Sequence, residues 1–310
     1  MRKLNKKAVQ LVACISLSLL IGSTSAFSQD FETSWGDPNL QGLWKQTHGT
    51  PLERPADETS VVLTEEEAAQ RRTERANRVF STREGDPGFY NEFWFEWGKE
   101  DTRTAMIMDP ADGRIPMKPG VREKEAELRA SRRQQADSPD TWLDMSVYDR
   151  CITRWGLPAL PTNYNNNWNI LQTQDFVVIF QEMIHDARII PLDRRPHINK
   201  NIRQWLGDAR AHWDGDTLVI ETTNFSKKTN FNGSRDGLKL IERLTRIDKN
   251  NLDWQWTLED STVWNHSWTG SLPLTSTEGP LFEYACHEGN YGLYNILAGA
   301  RAEDKHAESE

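Results

Sequence analysis

Asp208-Ala209-Arg210-Ala211-His212-Trp213-Asp214-Gly215-Asp216-Thr217-Leu218-Val219-Ile220-Glu221-Thr222-Thr223-Asn224 is the stretch that decides the fold class. Asp214-Gly215 is a favoured two-residue hairpin turn, because glycine takes a positive φ at no steric cost. Pairing Trp213 with Asp216 places Ala211 opposite Leu218 and Ala209 opposite Ile220. The same register sets His212 against Thr217, Arg210 against Val219 and Asp208 against Glu221. One face becomes apolar and the other mostly polar, and a one-residue slip would mix them. An antiparallel hairpin with one buried face is therefore expected over 208–224.

Working outward, the neighbouring segments also read as strands. Asn169–Thr173 and Phe176–Ile190 are rich in Ile, Val and Phe. A second hairpin turns at Lys249-Asn250-Asn251, and its later strand puts Leu252, Trp254, Trp256 and Leu258 on one face. A further strand is expected near Trp268–Leu274, and short ones at Gly42–Gln46 and Thr104–Met108.

Helices are expected at the flanks. Thr64-Glu65-Glu66-Glu67 is a capping box ahead of a helix over 65–79. Residues 121–134 form a largely solvated helix, 137–167 read as loop, and 291–308 close the chain as a helix. The fold class is α+β or mainly β. Serial antiparallel hairpins build a curled sheet or partial barrel, with N-terminal and C-terminal helices. Sandwich closure fits the same strands, because strand count does not fix shear. The mature region, 27–310, reads as a single domain: helical or irregular over 27–167, β-rich over 168–285, then the last helix.

Composition excludes several function classes. The chain has 310 residues and a formal net charge of -9. An acidic surface disfavours nucleic acid and anionic lipid as partners. Residues 1–26 have the layout of an export signal, with Arg2, Lys3, Lys6 and Lys7 ahead of an apolar run and a small-residue site at Thr24-Ser25-Ala26. Cys14 in Leu11-Val12-Ala13-Cys14 admits a lipoprotein alternative. Cleavage after Ala26 takes away those four positive charges and places the protein in the periplasm or outside the cell. No other apolar run is long enough to span a membrane.

Cys151 and Cys286 are the cysteines of the mature region. An oxidising compartment allows a disulfide between them. The bland alternative is two buried thiols, and a Cys286 nucleophile beside His287 is a third reading.

Four stretches carry a resemblance. They are Pro38-Asn39-Leu40-Gln41-Gly42-Leu43-Trp44, then Glu182-Met183-Ile184-His185-Asp186-Ala187-Arg188. The third runs from Arg195-Pro196-His197 through Trp205-Leu206-Gly207-Asp208 to Gly215-Asp216-Thr217-Leu218-Val219. The fourth is Tyr284-Ala285-Cys286-His287-Glu288-Gly289-Asn290. Together they resemble a family of exported bacterial proteins whose reaction is not established. The resemblance implies an exported bacterial protein and nothing sharper.

Standard catalytic motifs are missing. The sequence has no G-x-S-x-G elbow, Walker loop, Rossmann fingerprint, C-x-x-C or H-E-x-x-H, so it implies no cofactor and no metal. The densest polar cluster is His185, Asp186 and Arg188, followed by Asp193, Arg194, Arg195 and His197. On a strand, His185 shares a face with Met183, Ala187 and Ile189, where burial would lower its pKa and suit it to acid–base work. A satisfied core histidine is the bland alternative. Asp186 and Arg188 form either a polar pair in a cavity or a surface ion pair. Arg195 and His197 are candidates for holding an anion. Tyr164 and Asn165 offer neutral hydrogen bonds to a ligand. His287 and Glu288 precede the last helix, where Glu288 acts as an acid or merely complements the helix dipole. The six aromatics of 89–97 form a packing plug or a partner-binding surface.

Three functions follow. The first is an exported protein that binds a small molecule in a β-rich cavity. The second is a metal-independent lyase, hydrolase or isomerase, in which His185, Asp186 and Glu288 move protons and Arg188 steadies negative charge. The third is an envelope-interaction protein presenting the aromatic stretch. A cavity of roughly 300 Å3 or more is the structural requirement of the first.

Overall fold

The hairpin at 208–224 forms, with its turn one step later than the sequence suggests. In the computed structural model β6 (Asp208–Asp214) pairs with β7 (Thr217–Thr223), with Asp214 opposite Thr217 and Trp213 opposite Leu218. The two turn residues are Gly215 and Asp216, and Gly215 carries the positive φ, +58°. Glycine at the first central position is what a tight, twisted hairpin turn asks for. The partner of Ala211 is thus Ile220, not Leu218. The pairing moves by two positions, which is why the apolar and polar faces survive. The structure describes residues 31–46, 49–80, 93, 95–96, 102–154 and 156–309. The leader expected at 1–26 and most of the aromatic stretch 89–97 lie outside the described residues.

Eight further strands join the hairpin. These are β1 (Gly42–Lys45), β2 (Ile107–Asp109), β3 (Asn167–Gln172), β4 (Phe176–Gln181), β5 (Ala187–Pro191), β8 (Lys239–Arg246), β9 (Asn251–Glu259) and β10 (Trp268–Ser276). The order is β5-β4-β3-β1-β10-β9-β8-β7-β6, every neighbour antiparallel, with β2 paired to β10 off that path. The outer strands β5 and β6 lie against each other, with no ladder between them among the described residues. The sheet is therefore a nearly closed antiparallel barrel. Among the described residues three α-helices flank it: α1 (Glu65–Phe80), α2 (Val121–Asp137) and α3 (Tyr291–Ala307). The capping box of α1 forms as expected, with the Glu67 backbone N–H donating to Thr64 Oγ1 at 3.2 Å and the Thr64 N–H returning to Glu67 Oε2 at 2.8 Å.

Alternation along the strands fills the barrel. Leu252, Trp254, Trp256 and Leu258 of β9 are fully buried, as their period-two spacing requires. Trp44, Trp168 and Trp268 come in from β1, β3 and β10. Trp168 meets Trp254 edge-on at 4.9 Å, and Trp254 lies 4.6 Å from Trp256. Gly270 pairs with Trp256, and a Cβ there would fall 2.5 Å from the indole. The missing side chain makes room for the ring. A barrel of this width is closed to solvent by its own side chains.

One expected strand divides into two. The run Phe176–Ile190 is not continuous: β4 ends at Gln181, the chain reverses, and β5 returns antiparallel. A single 3-10 turn, Met183–His185, makes the reversal, with φ of +64° at Ile184 and +63° at His185. A β-branched residue with positive φ is costly, and no Gly or Pro announces the bend. Packing holds it in place. Met183 and Ile184 are buried, Glu182 is fully buried, and the Gln181 N–H donates to the Asp186 carbonyl at 2.8 Å.

Candidate functional site

The reversal at 182–186 builds one end of the barrel. Glu182 anchors it: its carboxylate accepts from Asn167 Nδ2 at 2.6 Å and from the Phe282 backbone N–H at 2.8 Å. Those bonds tie β3, the bend and the segment before α3 together. His185 is exposed, and its Nδ1 accepts from the Tyr284 N–H at 3.1 Å. Its ring meets Phe180 edge-on at 4.7 Å. The apolar strand face expected for His185 does not exist, because the chain turns there and both Met183 and Ile184 point into the protein.

A disulfide closes a loop over this end. Cys151 and Cys286 are bonded, with Cα atoms 5.7 Å apart. The bond consumes the sulfur that the nucleophile reading of Cys286 required. Asn290 Nδ2 adds a hydrogen bond to the Asp149 carbonyl at 2.9 Å, and the same side chain caps α3 by accepting from the Leu293 N–H at 3.2 Å. Three tyrosines meet beside the disulfide: the Tyr148 hydroxyl lies 2.5 Å from that of Tyr284 and 3.2 Å from that of Tyr164. Burial pushes the Tyr148 hydroxyl above its ordinary range. The Arg154 guanidinium covers the Tyr148 ring at 4.0 Å.

Between this loop and the barrel end lies a pocket. Thr153, Arg154, Asn165, Trp168, Gln181 and Met183 are among the residues lining it. It encloses about 30 Å3, which holds about two waters or a head group of a few atoms. Gln181, the last residue of β4, has a buried Nε2 with no hydrogen-bond partner. Asp186 borders the site through a hydrogen bond with Thr153. Burial drives its carboxyl up from 3.8 to about 6, and the Thr153 bond only partly offsets the desolvation.

The structure gathers some of the sequence candidates here and sends others elsewhere. His185, Asp186, Tyr164 and Asn165 belong to this end of the barrel. Arg188 does not. Its side chain lies inside the barrel, paired through both Nη atoms with Glu242, with Nη1 3.1 Å from Oε1. Thr222 Oγ1 accepts from Arg188 at 3.4 Å, and Trp254 Nε1 donates to Glu242 at 3.2 Å. The Asp186–Arg188 pair is thus replaced by Asp186–Thr153 and Arg188–Glu242. The guanidinium neutralises a buried carboxylate and has no route to a substrate's charge.

Arg195 and His197 lie away from the pocket, after β5 and beside β6. Arg195 Nε donates to Asp193 at 2.7 Å in an exposed pair. His197 Nδ1 is 2.8 Å from Asp208 Oδ2, and its Nε2 is 3.4 Å from Glu221 Oε1. Carboxylates already surround both side chains, so the anion-holding group expected of Arg195 and His197 is not assembled. His287 and Glu288 are exposed just before α3.

Sequence reasoning missed Thr153, Arg154, Gln181 and Met183. Thr153 and Arg154 follow Cys151 by two and three residues, so the disulfide expected at that cysteine was the available signal. Gln181 had none. Among the described residues no group of His, Cys, Asp and Glu is placed to hold a metal ion, and no helix is long and apolar enough to cross a membrane.

No family model and no curated protein matches the chain. Among solved structures, a mutant of the fluorescent protein UnaG is similar at 13% identity, covering 43% of this chain and 86% of that one, with a TM-score of 0.24. The likeness is too slight to carry any argument about this protein.

Proposed function

We propose that the protein binds a small molecule at the mouth of its barrel, beneath the disulfide-held loop. One observation carries the reading: a buried, unpaired Gln181 donor lines an open pocket next to a cationic side chain. Tryptophans fill the barrel interior, and the pocket at about 30 Å3 falls well short of the roughly 300 Å3 that the cavity form of this reading required, which counts against that form and leaves a shallow site that grips part of its ligand. Export fits this reading. The export-signal layout expected of residues 1–26 and a disulfide, which an oxidising compartment favours, both support placing the protein in the periplasm or outside the cell.

A second reading has its own support. Asp186, with a carboxyl near 6 and a hydrogen bond to the pocket wall at Thr153, is poised to exchange a proton near neutrality. With His185 nearby it would serve a metal-independent lyase, hydrolase or isomerase, and His287 and Glu288 would follow on the same segment as Tyr284.

One screen separates the two. Small molecules are presented to the mature protein and binding is followed by tryptophan fluorescence and thermal shift, with His185→Ala and Asp186→Asn alongside. A ligand recovered unchanged, and held as well by both variants, supports the binding protein. A ligand recovered as product, with turnover lost in a variant that still folds, supports the enzyme. A screen in which nothing shifts the melting temperature contradicts both.

A further inference from the structure

We infer that the pocket at the barrel mouth takes the hydroxyl group of an uncharged small molecule, an inference that rests on the binding reading above. Gln181 and Asp186 face each other one step beyond the last ladder pair of β4 and β5, Phe180 with Ala187, and the Gln181 backbone N–H donates to the Asp186 carbonyl at 2.8 Å. Residues so paired carry their side chains on one face, with Cβ atoms about 5 Å apart. That face is the inward one, because Ile179 and Arg188, two steps back, are buried on it. The two side chains nevertheless leave each other unused. Gln181 is nine-tenths buried and its Nε2 has no acceptor, while the side-chain hydrogen bond of Asp186 goes to Thr153. An ionised carboxylate only accepts, and one bond from Thr153 leaves it with lone pairs to fill.

A desolvated donor beside a half-satisfied acceptor calls for a group that does both. A hydroxyl accepts from Gln181 Nε2 and donates its proton to Asp186, which recovers the cost of the buried, unpaired N–H. A carboxylate is repelled by Asp186, and an ammonium satisfies Asp186 but gives the Gln181 donor no acceptor. Arg154 is itself engaged, over the Tyr148 ring at 4.0 Å, and carries no part of the recognition. Asn165 presents a further amide in the wall, which gives or accepts a hydrogen bond and favours neither sign of charge. Asn166 and Gln46 are held by the Thr162 N–H and the Ala159 carbonyl, at 2.6 and 2.8 Å. Size sets the rest. About 30 Å3 admits a hydroxyl and the carbon that bears it, so the body of the ligand lies across the apolar rim of Leu160 and Met183.

The matched probes are n-butanol, butyl methyl ether, butylamine and butyrate, presented to the full mature chain at about pH 7.5, where a carboxyl near 6 is ionised. The readouts are the Gln181 side-chain amide and Trp168 indole resonances, the indole serving alone where Gln181 is replaced. Saturable shifts with n-butanol are expected, with binding at least about fivefold weaker for both ions and for the ether, which accepts but has no proton to give. Gln181→Met, which keeps the length and loses the donor, should weaken n-butanol about fivefold. Asp186→Leu should weaken it about tenfold, and Asp186→Asn, which keeps an accepting oxygen, should restore most of that loss. Near-ultraviolet circular dichroism verifies that each variant folds. If butylamine, butyrate or the ether shifts these resonances as well as n-butanol does, the pocket binds a ligand but the hydroxyl assignment is overturned. If no probe shifts them, the pocket holds water alone, and the inference and the binding reading fall together.

Discussion

Arg188 of β5 and Glu242 of β8 form an ion pair inside the barrel, each side chain almost wholly shielded from water. The strands that carry them are far apart along the sheet, so the pair bridges the interior near the place where β5 and β6 fail to hydrogen-bond. Thr222 and Trp254 supply the additional hydrogen bonds that a desolvated pair needs.

Breaking that pair from one side leaves a buried charge alone. Glu242→Gln is expected to cost about 3–5 kcal/mol of unfolding free energy. Arg188→Met combined with Glu242→Leu should recover most of the loss, because no isolated charge remains. Urea denaturation of the single and the double variant beside the wild type checks this. A single variant as stable as the wild type would show that water reaches the site.

The disulfide should matter to both stability and binding. Cys151 and Cys286 are 135 residues apart in sequence, so the bond restrains a long loop of the unfolded chain. The chain-entropy model gives about 5 kcal/mol for a loop of that length. Cys151→Ser with Cys286→Ser is expected to lower stability by a few kcal/mol and to weaken ligand binding further, since the loop bearing Thr153 and Arg154 loses its tether. Calorimetry with and without a bound probe separates the two effects.

Asp186 gives a pH signature with a definite sign. Its folded-state value of about 6 lies above the ordinary 3.8. The folded protein therefore favours the protonated form. Stability from this group is complete below about pH 3.8 and is lost as pH rises to 6. Asp186→Asn should raise stability above pH 7 by about 1–2 kcal/mol, a figure discounted for partial exposure, and should change little near pH 4. Denaturation midpoints measured at the two pH values test it; an equal effect at both would assign the change to something other than ionisation.

Gly270 has no tolerance for a side chain. A Cβ would lie 2.5 Å from the fully buried Trp256 ring. Gly270→Ala is expected to destabilise by about 1–3 kcal/mol through overpacking, with a changed tryptophan emission maximum. Gly215→Ala, in the open turn, supplies the comparison: nothing lies within 4 Å, and only its positive φ resists the substitution.

Much of this barrel was legible in the residues, for physical reasons. Period-two alternation identified Leu252, Trp254, Trp256 and Leu258 as one buried face, and the Thr64–Glu67 capping box marked the start of α1. The 208–224 hairpin was found with its faces correct and its pairing displaced, because Asp214-Gly215 and Gly215-Asp216 are both acceptable turns and preserve the same alternation. The bend at 182–186 was invisible. It places Ile184 at a positive φ, which local preference argues against, and only tertiary burial of Glu182, Met183 and Ile184 holds it there. That hidden bend also explains the site. His185 and Asp186 stood out as polar residues in an apolar run, but their neighbours Thr153, Arg154 and Gln181 come from other parts of the chain that only folding assembles.

The central claim is that the ligand sits at the barrel mouth and not in the tryptophan-filled interior. The most direct test is to locate a bound molecule by photo-crosslinking a diazirine analogue of the first ligand recovered, then sequencing the labelled peptides by mass spectrometry. The account predicts labels on segments 153–168 and 181–186, competed away by the unmodified ligand. Competable labels confined to the inward-facing residues of β9, such as Trp254 and Trp256, would contradict it.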